Sequence, residues 1–316
     1  MMLKAFPGYE NHLRSYMREE TEQVLASREA HQKAMAEYKP EENIQITDRV
    51  IAGGDGQDLN IRIYRPDQLP EQAPMVLDIH GGGFVAGNLD VDVFRCCSLA
   101  KRIPAVVVSV DYRLCLDGVC FPAPLKDCHA TYMWMFDHAK EIGGDPDRMG
   151  LYGSSAGGCL AAGLALYLRD KNEPAPLLTV PNCATYTPAI EESMSYQQLK
   201  DLRMGPDNKA LNAEATYLGG YDGTQPSYYA FPALAHDLGG LQAHFVIAGE
   251  YDTLRDSGIE YAARLLRNAV PTELFVAGRQ AHCFTGVPHP YTDLIHDLIA
   301  ASFQREFGLL DQLKIK

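Results

Sequence analysis

The chain has 316 residues, 46% of them hydrophobic and 22% charged, the balance of a protein that buries a core. Its 41 Asp and Glu outnumber 28 Lys and Arg, giving a formal charge of −13 with no basic run. That argues against nucleic-acid binding, which needs a cationic stripe to displace counterions from phosphate.

Met1 to Arg14 carries Lys4, Glu10 and Arg14 among short apolar pieces and lacks the apolar core of a secretory signal. The longest nearly uninterrupted apolar stretch, Ile103 to Val110, is far shorter than the roughly 18 to 20 residues that cross a bilayer. Eight cysteines (Cys96, Cys97, Cys115, Cys120, Cys128, Cys159, Cys183, Cys283) show no CxxC spacing. The expectation is therefore reduced thiols, no structural zinc, no membrane insertion and a cytoplasmic location.

Tyr9 to Tyr38 lacks Pro and Gly and spaces Leu13, Met17, Val24, Leu25 and Met35 loosely at helical period, predicting one or two amphipathic helices. Ile44 to Tyr64 is rich in β-branched residues around Gly53, Gly54, Asp55 and Gly56, which predicts two antiparallel strands joined by a tight turn. Beyond Pro66, short apolar runs recur at Met75–Ile79, Ala105–Val110, Met149–Tyr152, Leu177–Val180, Phe245–Ala248 and Leu274–Val276. Helical segments separate them: Val91–Arg102, Pro124–Lys140, Ser155–Arg169, Leu254–Asn268 and Tyr291–Phe307. This alternation is that of an α/β chain, a mostly parallel sheet covered by helices.

Between Tyr186 and Gly240 the rhythm gives way to polar, Tyr- and Gly-containing sequence with no βαβ unit. A long insertion in an α/β domain commonly forms a lid or pocket wall. The expected organisation is an amino-terminal helical cap segment over residues 1–44 and a catalytic domain over 45–316 with a cap insertion near 186–240.

Gly153-Ser154-Ser155-Ala156-Gly157 follows the apolar run Met149–Tyr152 and precedes a small-residue helix, which is GxSxG in the strand–turn–helix context it requires. A nucleophile on so sharp a turn has a strained backbone, and side chains two residues away would collide, so glycines stand at 153 and 157. The helix that follows aims its first N–H groups at the reacting centre, Ala156 N–H nearest.

His80-Gly81-Gly82-Gly83-Phe84 follows the apolar strand Met75–Ile79, and three successive glycines leave backbone N–H groups unobstructed. Donors preorganised at a developing oxyanion are worth about 3 to 4 kcal/mol each. Gly82, Gly83 and Ala156 are the candidates, while His80 is read as orienting the glycine loop.

A serine hydroxyl needs an imidazole to take its proton and a carboxylate to hold that imidazole's tautomer. Asp252, after Phe245–Ala248, and His282, after Leu274–Val276, complete the order Ser, Asp, His with Ser155. Asp256 and Glu250 are rival acids and His289 a rival base; Asp252 is favoured for its loop position, His282 because it follows the last strand. Gly81, Gly83 and Ala86 also satisfy a relaxed dinucleotide fingerprint, but no acid ends a strand about 20 residues on.

His80-Gly81-Gly82-Gly83, Asp111-Tyr112-Arg113-Leu114, Phe121-Pro122-Ala123-Pro124, Gly153 to Gly157, Gly249 to Asp252 and His282 together resemble the hormone-sensitive lipase family of esterases, of bacterial acetyl esterase or carboxylesterase type. The resemblance spans about residues 45 to 305. It implies an α/β-hydrolase fold with a mostly parallel eight-stranded sheet flanked by helices, a helical cap, and hydrolysis of short- to medium-chain acyl esters without metal or other cofactor. It carries the nucleophile to Ser155, the acid to Asp252, the base to His282 and the oxyanion donors to Gly82, Gly83 and Ala156, and it implies a homodimer. Many relatives have Asp where Ser154 stands and Gly where Cys283 stands. Two other function classes stand beside the serine carboxylesterase: a non-catalytic small-ligand receptor on the same fold, and a nucleotide-dependent oxidoreductase.

Overall fold

Strands form where the apolar runs predict them, and their burial shows which are central. In the computed structural model, which describes residues 38–40, 42–199, 216–220 and 226–310, β3 (Ala73–Ile79) and β4 (Val106–Val110) are buried at every position. Only a strand covered on both faces has that pattern. The strands β1 (Ile44–Ala52) and β8 (Thr272–Ala281) expose much of their length, as sheet edges do. The others are β2 (Asp58–Pro66), β5 (Gly144–Ser154), β6 (Leu178–Asn182) and β7 (Ala243–Tyr251).

Among the described residues these make one eight-stranded sheet in the order β1-β2-β4-β3-β5-β6-β7-β8. The β1–β2 hairpin turns at Gly53–Gln57, β2 runs antiparallel to both neighbours, and every other pairing is parallel. From β3 the chain moves outward to β4 and then returns to β5 on the other side of β3. That reversal opens a crevice at the carboxyl ends of β3 and β5, the place where such sheets bind ligands. It sets the segment after Ile79 beside Gly153, its partner in the β3–β5 register.

Helices among the described residues include α1 (Val93–Arg102), α2 (Ala123–Asp137), α3 (Ala139–Ile142), α4 (Ala156–Lys171), α5 (Met194–Leu199), α6 (Arg255–Arg267) and α7 (Pro290–Glu306). Successive strand residues serve opposite faces, as the two-residue strand period requires. Leu77, Val108 and Leu151 pack with α2, α4 and α6, whereas Val76, Val107 and Tyr152 pack with α1 and α7.

Two departures from the sequence reading have local causes. The segment Pro124–Lys140 is not one helix: it stops at Asp137, where the His138 ring stacks on Trp134 and bonds its carbonyl, and α3 follows. Strand β8 runs well past the apolar run Leu274–Val276, because an edge strand tolerates the exposed Arg279 and the half-buried Glu273 and Gln280 that an apolar criterion passes over.

The helices expected between Tyr9 and Tyr38 lie outside the described residues, as does part of the 186–240 insertion. The described parts of that insertion hold α5 and two 3₁₀ turns, Ile190–Glu192 and Pro232–Leu234, and no strand. Among the described residues no helix is long and apolar enough to cross a membrane.

Candidate active site

Ser155 stands between the end of β5 and the first residue of α4, with φ 54° and ψ −120°. A side chain pays a steric cost at such an angle, and the neighbours must make room. A Cβ on Gly153 would lie 2.2 Å from Gly157 O, and one on Gly157 would lie 2.0 Å from Ile79 O. Both glycines are therefore required by close backbone approach, as the spacing predicts.

Asp252 follows β7 and is buried; its Oδ1 accepts the Leu254 N–H at 2.9 Å and its Oδ2 lies 2.8 Å from His282 Nδ1. On the other side of the ring, His282 Nε2 lies 2.8 Å from Ser155 Oγ. An ionised carboxylate only accepts, so the Nδ1 proton faces Asp252 and the Nε2 lone pair is left for the serine hydroxyl. Burial disfavours charge on the ring, but the Asp252 carboxylate outweighs it and holds His282 well above its ordinary value of 6.5.

The glycine loop sits against this turn, since a Cβ on Gly81 would lie 3.0 Å from Ser154 O and 3.3 Å from Ser155 Cβ. Gly82 has φ 129°, and its carbonyl accepts the N–H groups of Val85 and Ala86. Among the described residues no backbone acceptor takes the N–H of Gly82 or Gly83, and Ala156 N–H belongs to the orphan donors of a first helical turn. His80 is buried and braces the loop: its ring stacks on Tyr112, its Nδ1 is 2.7 Å from Gly81 O, and Tyr112 OH donates to its carbonyl at 3.0 Å. Burial lowers the His80 pKa, favouring the neutral ring.

A family model described as alpha/beta hydrolase fold matches residues 76–286, which includes every one of these groups. The chain belongs to the alpha/beta hydrolase family. It is 34% identical over 248 residues to esterase LipI of Mycobacterium tuberculosis, covering 77% of this chain and 76% of that one. It is 33% identical to carboxylesterase NlhH of the same species, covering 80% and 78%. The solved structure of esterase LipW from Mycobacterium marinum superposes with a TM-score of 0.75 at 30% identity, covering 97% of this chain and 92% of that one. The resemblance to hormone-sensitive-lipase-type esterases that the motifs carry is thus borne out.

Other members of the sequence-level shortlist are engaged elsewhere in this alpha/beta hydrolase. Glu250 accepts the Arg279 N–H, Asp256 accepts the Ser195 N–H and pairs with Arg255, and the His289 ring caps α7 by accepting the Tyr291 N–H. The dinucleotide fingerprint at 81–86 does not open a helix, because α1 begins only at Val93.

Three groups escaped the sequence reading. The first is Arg95 on α1, fully buried, which grips both oxygens of Asp78 at 3.0 and 3.2 Å and donates to Ser154 Oγ at 3.0 Å. It also pairs with Asp92 and covers the Tyr152 ring. Burial raises the Asp78 carboxyl to about 6 against the pull of Arg95. The signal was an acid inside the apolar strand Met75–Ile79, which demands a buried cation.

The second is Asn182, whose side-chain N–H₂ reaches Ser154 Oγ at 3.3 Å and Thr285 Oγ1 at 2.7 Å, tying the serine turn to the segment after His282. The third is Cys183. Its Sγ, a carboxylate oxygen of Asp252 and a ring nitrogen of His282 all lie within 4.8 Å of one another. No linear spacing connects residues 183, 252 and 282, so only the fold reveals that cluster.

Proposed function

We propose that this carboxylic ester hydrolase acts through Ser155 as nucleophile, His282 as general base and acid, and Asp252 as the carboxylate that holds the imidazole. The observation that carries the reading is the unbroken chain of hydrogen bonds Ser155 Oγ to His282 Nε2 and His282 Nδ1 to Asp252, both at 2.8 Å. Ser155 Oγ attacks the ester carbonyl carbon as its proton passes to Nε2, and the imidazolium then protonates the departing alkoxide. Water, deprotonated by the same nitrogen, releases the acid from the acyl-enzyme. The N–H groups of Gly82, Gly83 and Ala156 receive the oxyanion in both steps.

The substrate class is short- to medium-chain acyl esters, the range implied by the hormone-sensitive lipase resemblance. The proposed organisation is the one the resemblance implies, a cap drawn from residues 1–44 and the insertion near 186–240, and a catalytic domain over 45–316. Eight cysteines without CxxC spacing, read as reduced thiols, support a cytoplasmic setting. A homodimer completes the reading, and its mass in solution tests it.

Ser155→Ala tests the chemistry. The expected result is a folded protein whose turnover of p-nitrophenyl acetate falls by on the order of 10⁴-fold or more. Turnover near the wild-type rate would refute the assignment. A series of p-nitrophenyl esters of increasing acyl length tests the substrate class, with a maximum expected at short to medium chains.

A further inference from the structure

Cys183 directly follows β6 and is buried, with its N–H held by Ile247 O at 2.8 Å. Its φ is +50°, a left-handed conformation in which glycine would be unstrained, yet a cysteine occupies it and is buried. The thiol lies within 4.8 Å of ligand atoms of both members of the acid–base pair. Ester hydrolysis as derived above makes no use of it.

A thiolate, an imidazole nitrogen and a carboxylate oxygen are the donor set of a borderline-soft divalent cation. Zinc binds such ligands at roughly 2.0 to 2.3 Å, so the three atoms need only draw together modestly around it. The geometry points to an inhibitory site for zinc or cadmium built from Cys183 Sγ, Asp252 and His282 Nδ1, which shuts the esterase by seizing the wrong nitrogen of its base.

The proton balance explains the inhibition. The cation takes the Nδ1 lone pair, so the ring proton moves to Nε2 and the imidazole stays neutral, while the Cys183 thiol proton is released to solvent. Nε2 then carries a hydrogen and cannot accept one from Ser155 Oγ. No redox step is involved. A hard cation such as magnesium has little affinity for the thiolate and does not compete.

The inhibition rests on the triad reading above, but binding of the metal does not, and the experiment separates them. Cadmium added to the wild-type protein is expected to give a thiolate-to-metal charge-transfer absorption that Cys183→Ala abolishes. Micromolar zinc is expected to suppress p-nitrophenyl acetate hydrolysis reversibly with EDTA, magnesium to have no effect, and Cys183→Ala to raise the inhibitory zinc concentration by at least about tenfold, each variant compared with its own metal-free rate. If Cys183→Ala does not fold, anomalous scattering from a cadmium-soaked wild-type crystal takes its place, with a peak expected between the three side chains. An absorption unchanged in Cys183→Ala, equal zinc inhibition of both proteins, or no peak there would overturn the proposal. Charge transfer without inhibition would leave the metal site standing and count against His282 as the base.

Discussion

The serine turn and the histidine segment reach the same point by different means. Ser155 is fixed by backbone: its neighbours at 153 and 157 are packed so closely against Gly157 O and Ile79 O that no side chain fits. His282 is fixed by side chains, through Asp252 on β7's loop and through Asn182 and Thr285, which link its segment to the residue preceding the nucleophile. Steric constraints of the first kind fall on the glycines two residues either side of the nucleophile and leave a motif, even where the obstructing atom, as Ile79 O is for Gly157, lies far off in the chain. Hydrogen bonds of the second kind join residues far apart in the chain and leave none.

Breaking the side-chain half of the comparison has the largest expected effect. Asn at 252 can still accept the Leu254 N–H with its oxygen, but then turns its NH₂ toward His282 Nδ1 and favours the tautomer with hydrogen on Nε2. Asp252→Asn should therefore lower kcat by on the order of 10⁴-fold while leaving the fold intact. Steady-state kinetics with thermal unfolding of the same sample checks both halves. A loss below tenfold would mean that Asp252 does not set the tautomer.

Breaking the backbone half should be felt first in stability. Gly157→Ala forces a methyl group to within 2.0 Å of Ile79 O and 2.5 Å of His80 O, so strand and glycine loop must both shift. A loss of about 3 kcal/mol in unfolding free energy is expected, together with weaker activity. Urea denaturation decides it, and wild-type stability would show that the close approach is not needed.

The same division explains what the sequence disclosed. The GxSxG and His80-Gly81-Gly82-Gly83 segments were legible because glycine is demanded locally, and central strands β3 and β4 because burial on both faces leaves only apolar residues. Asp252 and His282 were found through chain order and their place after strands, which narrowed the choice among rival acids and bases without closing it. Arg95, Asn182 and Cys183 could not be assigned, since α1, the end of β6 and the histidine segment meet only once the sheet is assembled. Asp78 alone among their partners left a trace, as a charge in an apolar strand.

The pH profile sharpens the comparison with a smaller effect. The neutral imidazole is the active form, so activity falls as pH drops through the His282 pKa, which Asp252 holds above 6.5. The acid limb of kcat/KM should accordingly have its midpoint above the ordinary imidazole value, and Asp252→Asn should move it down. A profile flat from about pH 5 to 8 would rule out His282 as the base.

The central claim is that the hydroxyl at 155 is the group made nucleophilic by this arrangement. Stoichiometric treatment with a fluorophosphonate, followed by intact and peptide mass spectrometry, tests it most directly. The account predicts a single phosphonyl adduct, on the peptide containing Ser155, formed in step with the loss of esterase activity. An adduct on another residue, or activity lost with Ser155 unmodified, would contradict it.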